Sequence, residues 1–243
     1  MTTTLITGAT RGLGLETARR LTAAGHTVYL GARDLERGQE AARPIGARAI
    51  QLDVTDEESV RAAAKLVREE AGALDVLINN AGISGAWKLA GEYTAPDMET
   101  VYATNVFGLV RVTHAFLPLL EAGGHPVIVN VSSTGGSLTR NADPTSVEYK
   151  MPVLTYASSK SAVNMITVQY ANAFPRIRIN AVSPGLTATD FSDIASPGPT
   201  PVDFGELGIQ SVEEGAEIII RMATIGPDGP TGGFFEAGGP APW

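Results

Sequence analysis

Apolar and polar positions along the chain fall into two alternating patterns. Short runs rich in β-branched and aliphatic residues, at 3–7, 27–31, 47–52, 74–79, 126–132, 178–182 and 233–235, read as buried strands. Between them lie longer stretches at 12–24, 35–43, 56–70, 97–120, 156–174 and 212–223, which read as helices. Asp56-Glu57-Glu58 opens one of these with negative charge where the helix dipole favours it. Strand–helix alternation with apolar strands predicts an α/β fold: one doubly wound domain over 1–243, its parallel sheet of about seven strands covered by helices on both faces. Two stretches break the pattern. Residues 134–155 carry Gly135, Gly136, Pro144 and Pro152, and residues 186–210 carry Pro197, Gly198, Pro199 and Pro201. Loops of that length in a compact domain are often lids or binding loops.

Composition narrows the class. With 243 residues, 44% hydrophobic and 18% charged, the chain can bury one substantial core and is not a disordered sequence. A net charge of −8 argues against a nucleic-acid backbone as main partner, while leaving room for a local basic pocket for one phosphate. The absence of cysteine excludes disulfides, thiolate metal sites and a cysteine nucleophile. His26, His114 and His125 show no ligand spacing, so no metal is expected. Neither a basic, apolar leader nor a run of ~20 consecutive apolar residues is present, so no signal peptide or membrane span is expected and the cytoplasm is the default location.

Three local patterns carry chemistry. Thr7-Gly8-Ala9-Thr10-Arg11-Gly12-Leu13-Gly14 joins the first strand to the first helix, where glycines let backbone approach a pyrophosphate and the helix N-terminus supplies amide donors. The end of the second strand reads Ala32-Arg33-Asp34. An arginine there accommodates a ribose 2′-phosphate, whereas an acidic residue bonds the 2′-hydroxyl of NAD. Arg33 together with Arg11 favours NADP(H) over NAD(H), with Asp34 assigned to the N-cap of the next helix. Finally, Tyr156 and Lys160 stand one helical turn apart on one face. A free phenol has a pKa of about 10. A neighbouring ammonium is expected to lower it and make the tyrosine a usable acid–base.

These patterns, in this order, resemble the short-chain dehydrogenase/reductase family over nearly the whole chain, which implies a Rossmann-type domain. The resemblance implies cofactor contacts from Gly8, Thr10, Arg11, Gly12, Leu13 and Gly14, from Arg33, and from Asp53 and Val54 beside adenine. It extends to Asn80, Ala81 and Gly82 of Asn79-Asn80-Ala81-Gly82, and to Pro184, Gly185, Thr187 and Thr189 of Pro184-Gly185-Leu186-Thr187-Ala188-Thr189. Asn105, Ser133, Tyr156 and Lys160 fall on the family's catalytic positions, with Tyr156 and Lys160 also touching the cofactor. Several stretches look most like NADPH-dependent carbonyl reductases, among them Arg37-Gly38-Gln39 and Glu213-Glu214-Gly215-Ala216-Glu217.

The implied activity is NADPH-dependent reduction of a ketone or aldehyde to an alcohol, with Tyr156 as general acid, Ser133 bonding the carbonyl oxygen, and Asn105 fixing a water linked to Lys160. An NAD-dependent alcohol dehydrogenase and a non-catalytic NADP-sensing protein are the alternatives. Ser133 and Tyr156 are 23 positions apart, a longer gap than the family's usual one. The extra residues, about 137–155, are an expected insertion, and 186–210 an expected substrate lid. Leu138, Val153, Leu154, Phe191 and Phe204 are the expected apolar walls of a small-molecule carbonyl or alcohol site. Tyr149-Lys150 in the insertion is set aside because it lacks the Tyr-x-x-x-Lys spacing. In the carbonyl reductases such extra residues obstruct tetramer packing, so a monomer or homodimer is expected. Val106, Phe107, Val110 and Phe116 either form a dimer interface or face the core.

Overall fold

Among the described residues, eight strands form one sheet in the order β3-β2-β1-β4-β5-β6-β7-β8. They are β1 (Thr3–Ile6), β2 (Thr27–Ala32), β3 (Arg48–Gln51), β4 (Val76–Asn79), β5 (Val127–Val131), β6 (Arg178–Val182), β7 (Phe234–Glu236) and β8 (Gly239–Pro240). The computed structural model describes residues 2–151, 153–188 and 208–243. Pairings from β3 through to β7 are parallel. The eighth strand, absent from the sequence prediction, is a two-residue antiparallel return against β7, too short to leave a hydrophobic period.

Side chains of successive strand residues point to opposite faces, so each strand feeds two cores. Leu5, Leu77, Ile128 and Ile179 pack on one face with Val60 and Val67 of α3 (Glu57–Ala71), Phe116 and Leu120 of α5 (Leu109–Glu121) and Ala171 of α7 (Leu154–Ala173). Their neighbours Ile6, Ile78 and Val129 pack on the other face with Leu21 of α1 (Gly12–Ala23), Ala42 of α2 (Leu35–Ala42) and Ile218 and Ile219 of α8 (Val212–Ala223). Parallel pairing brings the carboxyl ends of β1 to β7 to one edge, where open α/β sheets bind ligands.

The helix expected at 97–120 is three pieces. The first is α4 (Ala95–Tyr102), the second a π-helical turn (Ala103–Gly108), and α5 completes the run. Two anchors hold the wide turn. A Cβ on Gly108 would lie 2.8 Å from Val54 Cγ2, so the helix approaches that loop closely only because the residue is glycine. Asn105 is bound through its side chain to the backbone of Ile83. The run Ala95–Glu121 has the length and mean hydropathy (1.2) of a candidate membrane span, but half of its most apolar window is buried within the fold. Val106 and Phe116 face the core, whereas Phe107 and Val110 are exposed. The irregular 134–155 stretch holds two short 3-10 turns and α6 (Leu138–Asn141), and α7 begins at Leu154, two residues ahead of the expected start.

Candidate active site

The β1–α1 turn is built around glycines that no other residue replaces cheaply. Gly8 and Gly12 have φ of +62° and +54°, and a Cβ on Gly14 would stand 2.6 Å from Asn80 Nδ2. Asn80 closes the turn by donating from Nδ2 to the carbonyls of Thr7 (2.9 Å) and Gly8 (3.0 Å), while Thr7 Oγ1 accepts from the amides of Asn80 (3.0 Å) and Ala81 (2.9 Å). One layer deeper, Asn79 Nδ2 donates to Thr113 Oγ1 and Asn130 Oδ1, and Asn130 Nδ2 donates to Thr167 Oγ1, joining β4 and β5 to α5 and α7. The N-cap of α1, Arg11, makes no side-chain cap. The first amides of α1 are therefore open to a ligand at the edge of the sheet.

The Asp34 carboxylate caps α2, its Oδ1 accepting from the amides of Glu36 (3.0 Å) and Arg37 (3.2 Å). Arg33 is exposed and lines the cavity with Arg11. Asp53 Oδ1 accepts from Thr55 N and Thr55 Oγ1, which fixes the loop after β3.

At the centre, Ser133 follows β5 and its hydroxyl accepts from Gly135 N (3.1 Å) while hydrogen-bonding to Tyr156. Lys160 is 4% exposed, donates from Nζ to the Val131 carbonyl (2.7 Å), and lies 5.6 Å from the Tyr156 ring centroid. Gly136 lets α7 come this close, since a Cβ there would meet the Lys160 carbonyl carbon at 2.5 Å. Ser132 Oγ donates to Asn164 Oδ1 (2.6 Å), clamping β5 to the turn of α7 after Lys160. Burial pushes the Tyr156 phenol up to about 12, partly opposed by the bond to Ser133, and burial pushes Lys160 down to about 8. The expected lowering of the phenol by Lys160 is not found: desolvation dominates, and the ammonium is engaged by Val131.

A cavity of about 900 Å3 runs along this edge. It is lined by every cofactor contact expected from Gly8 to Thr187, and by Ser133, Tyr156 and Lys160. Thr189, Phe191 and Phe204 lie outside the described residues, as does most of the expected lid. Asn105 does not line the cavity. Its carboxamide is spent on Ile83, accepting from the amide (2.8 Å) and donating to the carbonyl (2.9 Å), and on the Ser159 hydroxyl (3.0 Å).

Of the three expected walls among the described residues, Val153 lines the cavity, whereas Leu138 and Leu154, 72% and 40% exposed, do not. Hydrophobicity alone did not say which way those side chains point. Walls the sequence reading missed include Trp87, Met151 and an ion cluster of Arg140, Glu148 and Glu236. The one available signal was for Glu236, which ends a parallel strand at the ligand edge.

The residues fit a dinucleotide: a helix N-terminus without a side-chain cap, glycines with no room for a Cβ, and the guanidiniums of Arg11 and Arg33 in the same cavity. Similarity to known proteins agrees. The family model for short chain dehydrogenase matches residues 2–198. A short-chain dehydrogenase of Penicillium roqueforti is 38% identical over 242 residues, covering 91% of this chain and 88% of that protein. A (+)-neomenthol dehydrogenase of Arabidopsis thaliana is 31% identical over 292 residues, covering 96% and 95%. Among solved structures, NADPH-bound carbonyl reductase from chicken fatty liver matches with a TM-score of 0.83 and 28% identity over 99% of this chain and 98% of that one. This chain belongs to the short-chain dehydrogenase family, whose members are oxidoreductases that use NAD(P)(H).

Proposed function

We propose that the protein reduces a small ketone or aldehyde to the alcohol with NADPH. The observation that carries this reading is the hydrogen-bonded Ser133–Tyr156 pair lining the cavity, with Lys160 one turn behind it. A reductase needs a proton donor at the carbonyl oxygen, and a phenol pushed up to about 12 is in the donor form at neutral pH.

Bound in the cavity, the nicotinamide cofactor supplies the hydride equivalent. Tyr156 delivers its proton to the substrate oxygen, and the Ser133 hydroxyl stabilises the charge that develops there. Lys160 is placed one turn behind Tyr156 to hold the cofactor ribose and return a proton to the phenol. Asn105 acts at one remove, holding the π-helical turn and Ser159 in place. The 137–155 segment forms the outer wall of the substrate end.

NADPH is preferred because Asp34 is committed to the α2 N-cap, leaving Arg33, in the cavity that Arg11 also lines, to meet a 2′-phosphate. The NADPH-bound carbonyl reductase and the neomenthol dehydrogenase among its relatives support a carbonyl–alcohol pair. Initial rates with NADPH and NADH over a panel of ketones, aldehydes and alcohols test the reading, with Tyr156→Phe as control. Carbonyl-dependent NADPH oxidation should vanish in that variant, whose NADPH affinity stays within a few-fold of the parent. Substantial turnover by Tyr156→Phe would remove the assigned acid.

A further inference from the structure

Charge is distributed unevenly along the cavity. Arg11, Arg33 and Asp53 line it beside β1, β2 and β3, Lys160 lies at the centre, and Arg140, Glu148 and Glu236 line the opposite end toward β7. Arg140 Nη1 meets Glu148 Oε1 at 3.3 Å and its Nη2 meets Glu236 Oε1 at 2.5 Å. All three are largely shielded, with side chains 28%, 12% and 31% exposed for Arg140, Glu148 and Glu236. The cluster is fixed relative to the chemistry. Arg140 N donates to Ser137 Oγ, and Asn141 Nδ2 donates to the carbonyl of Gly135, whose own amide bonds Ser133. The Ser146 hydroxyl donates to the Arg140 carbonyl, tying in the chain that leads to Glu148.

One guanidinium shared by two carboxylates leaves a surplus negative charge in a partly desolvated wall, where interactions between charges are weakly screened. Arg140 is already engaged on two nitrogens, so an incoming carboxylate would bring a third negative charge to a single shared cation. The neighbouring lining is apolar: Trp87, Val147, Met151 and Val153.

We propose that Glu148 and Glu236, held in place by Arg140, form a charge filter at the substrate end that admits neutral carbonyl compounds with an apolar body and rejects those bearing a carboxylate. The filter rests on the reductase reading above, since it assigns this end of the cavity to the substrate.

The test compares 4-oxocyclohexanecarboxamide with 4-oxocyclohexanecarboxylate, which match in shape and differ in charge. Two readouts are taken: kcat/KM with NADPH, and calorimetric binding of each ketone to the NADP+-loaded protein, where no turnover occurs. The parent should prefer the amide at least tenfold in both. Glu148→Gln and Glu236→Gln should each narrow that ratio severalfold with the NADPH Kd unchanged. Arg140→Gln should widen it, because both carboxylates then stand uncompensated. A merely structural latch would weaken the two ketones alike in all three variants, and that outcome overturns the filter. A parent that prefers the carboxylate, and loses that preference in Arg140→Gln, also overturns it by making Arg140 an anion receptor. Reduction of the amide without discrimination sinks the filter alone. Discrimination in binding with no reduction of any carbonyl keeps the filter and sinks the reductase reading.

Discussion

The Asn105 carboxamide donates to the Ser159 hydroxyl at 3.0 Å, and that hydroxyl donates onward to the Tyr156 carbonyl at 2.7 Å. The same carboxamide holds both backbone groups of Ile83, a residue of the cavity lining. One side chain therefore sets the loop after β4 against the first turn of α7. Asn105→Ala removes the partners of both Ile83 backbone groups, at a cost of about 1–3 kcal/mol for a buried group, and leaves the Ser159 hydroxyl only its bond to Tyr156. The expected result is a lower denaturation midpoint together with a tenfold or greater fall in kcat, roughly the effect of a small misplacement of a reacting group. Asn105→Asp keeps the acceptor for Ile83 N but loses both donated bonds, so it should rescue little. Unchanged kcat in a folded Asn105→Ala protein would remove the positioning role.

Ser133 acts on both partners of the reaction. Its hydroxyl lowers the Tyr156 phenol against the burial that raises it, and it is the donor assigned to the substrate oxygen. Ser133→Ala should reduce kcat by about 10²–10³, the usual loss for one donor to a developing oxyanion. Steady-state kinetics with NADPH at saturating carbonyl compound make the measurement. A kcat unchanged by Ser133→Ala would remove Ser133 from the substrate oxygen.

Much of this site was legible because its chemistry is local in sequence. The glycine turn, the Asp34 cap and the Tyr156–Lys160 spacing each depend on residues within one or two turns, so composition and period expose them. The catalytic electrostatics were not legible. Spacing places an ammonium near Tyr156, but only the fold shows that Lys160 Nζ is bound to Val131 and that burial governs both groups. The π-helical turn was hidden for a similar reason: Gly108 against Val54 is a contact between distant segments. So was the Arg140–Glu236 pair, whose members stand 96 residues apart. Leu138 and Leu154 show the opposite error, since apolar character made them candidate walls and the backbone turns them outward.

Arg33→Ala separates the two cofactors. With Asp34 held by the amides of Glu36 and Arg37, the guanidinium is the group after β2 assigned to a 2′-phosphate. The variant should raise the KM for NADPH by about tenfold or more, consistent with loss of a charge-assisted bond of about 1.5–3 kcal/mol. The KM for NADH should change by less than twofold. Equal changes for both cofactors would place Arg33 away from the phosphate.

Lys160→Met reads the cost of burying the ammonium. Burial lowers its pKa from 10.5 to about 8 in the folded protein. Below pH 8 both states hold the proton, and the folded state bears the full penalty of a desolvated charge. Between pH 8 and 10.5 the unfolded chain binds more protons than the folded one, so the parent gains stability as pH rises through this window. Above it both states are neutral at Lys160 and the penalty is gone. The folding free energy of Lys160→Met relative to the parent should therefore be most favourable at pH 7 and less so by pH 10.5, the change amounting to about 3 kcal/mol at 1.36 kcal/mol per unit. Comparing two pH values cancels the packing difference between Met and Lys, and the raised phenol of Tyr156, present in both proteins, cancels as well. Denaturant unfolding at pH 7 and pH 10.5 makes the measurement. A difference independent of pH would mean that the Lys160 amine is solvated, and with it would fall the view of Lys160 as a proton store poised near neutrality behind Tyr156.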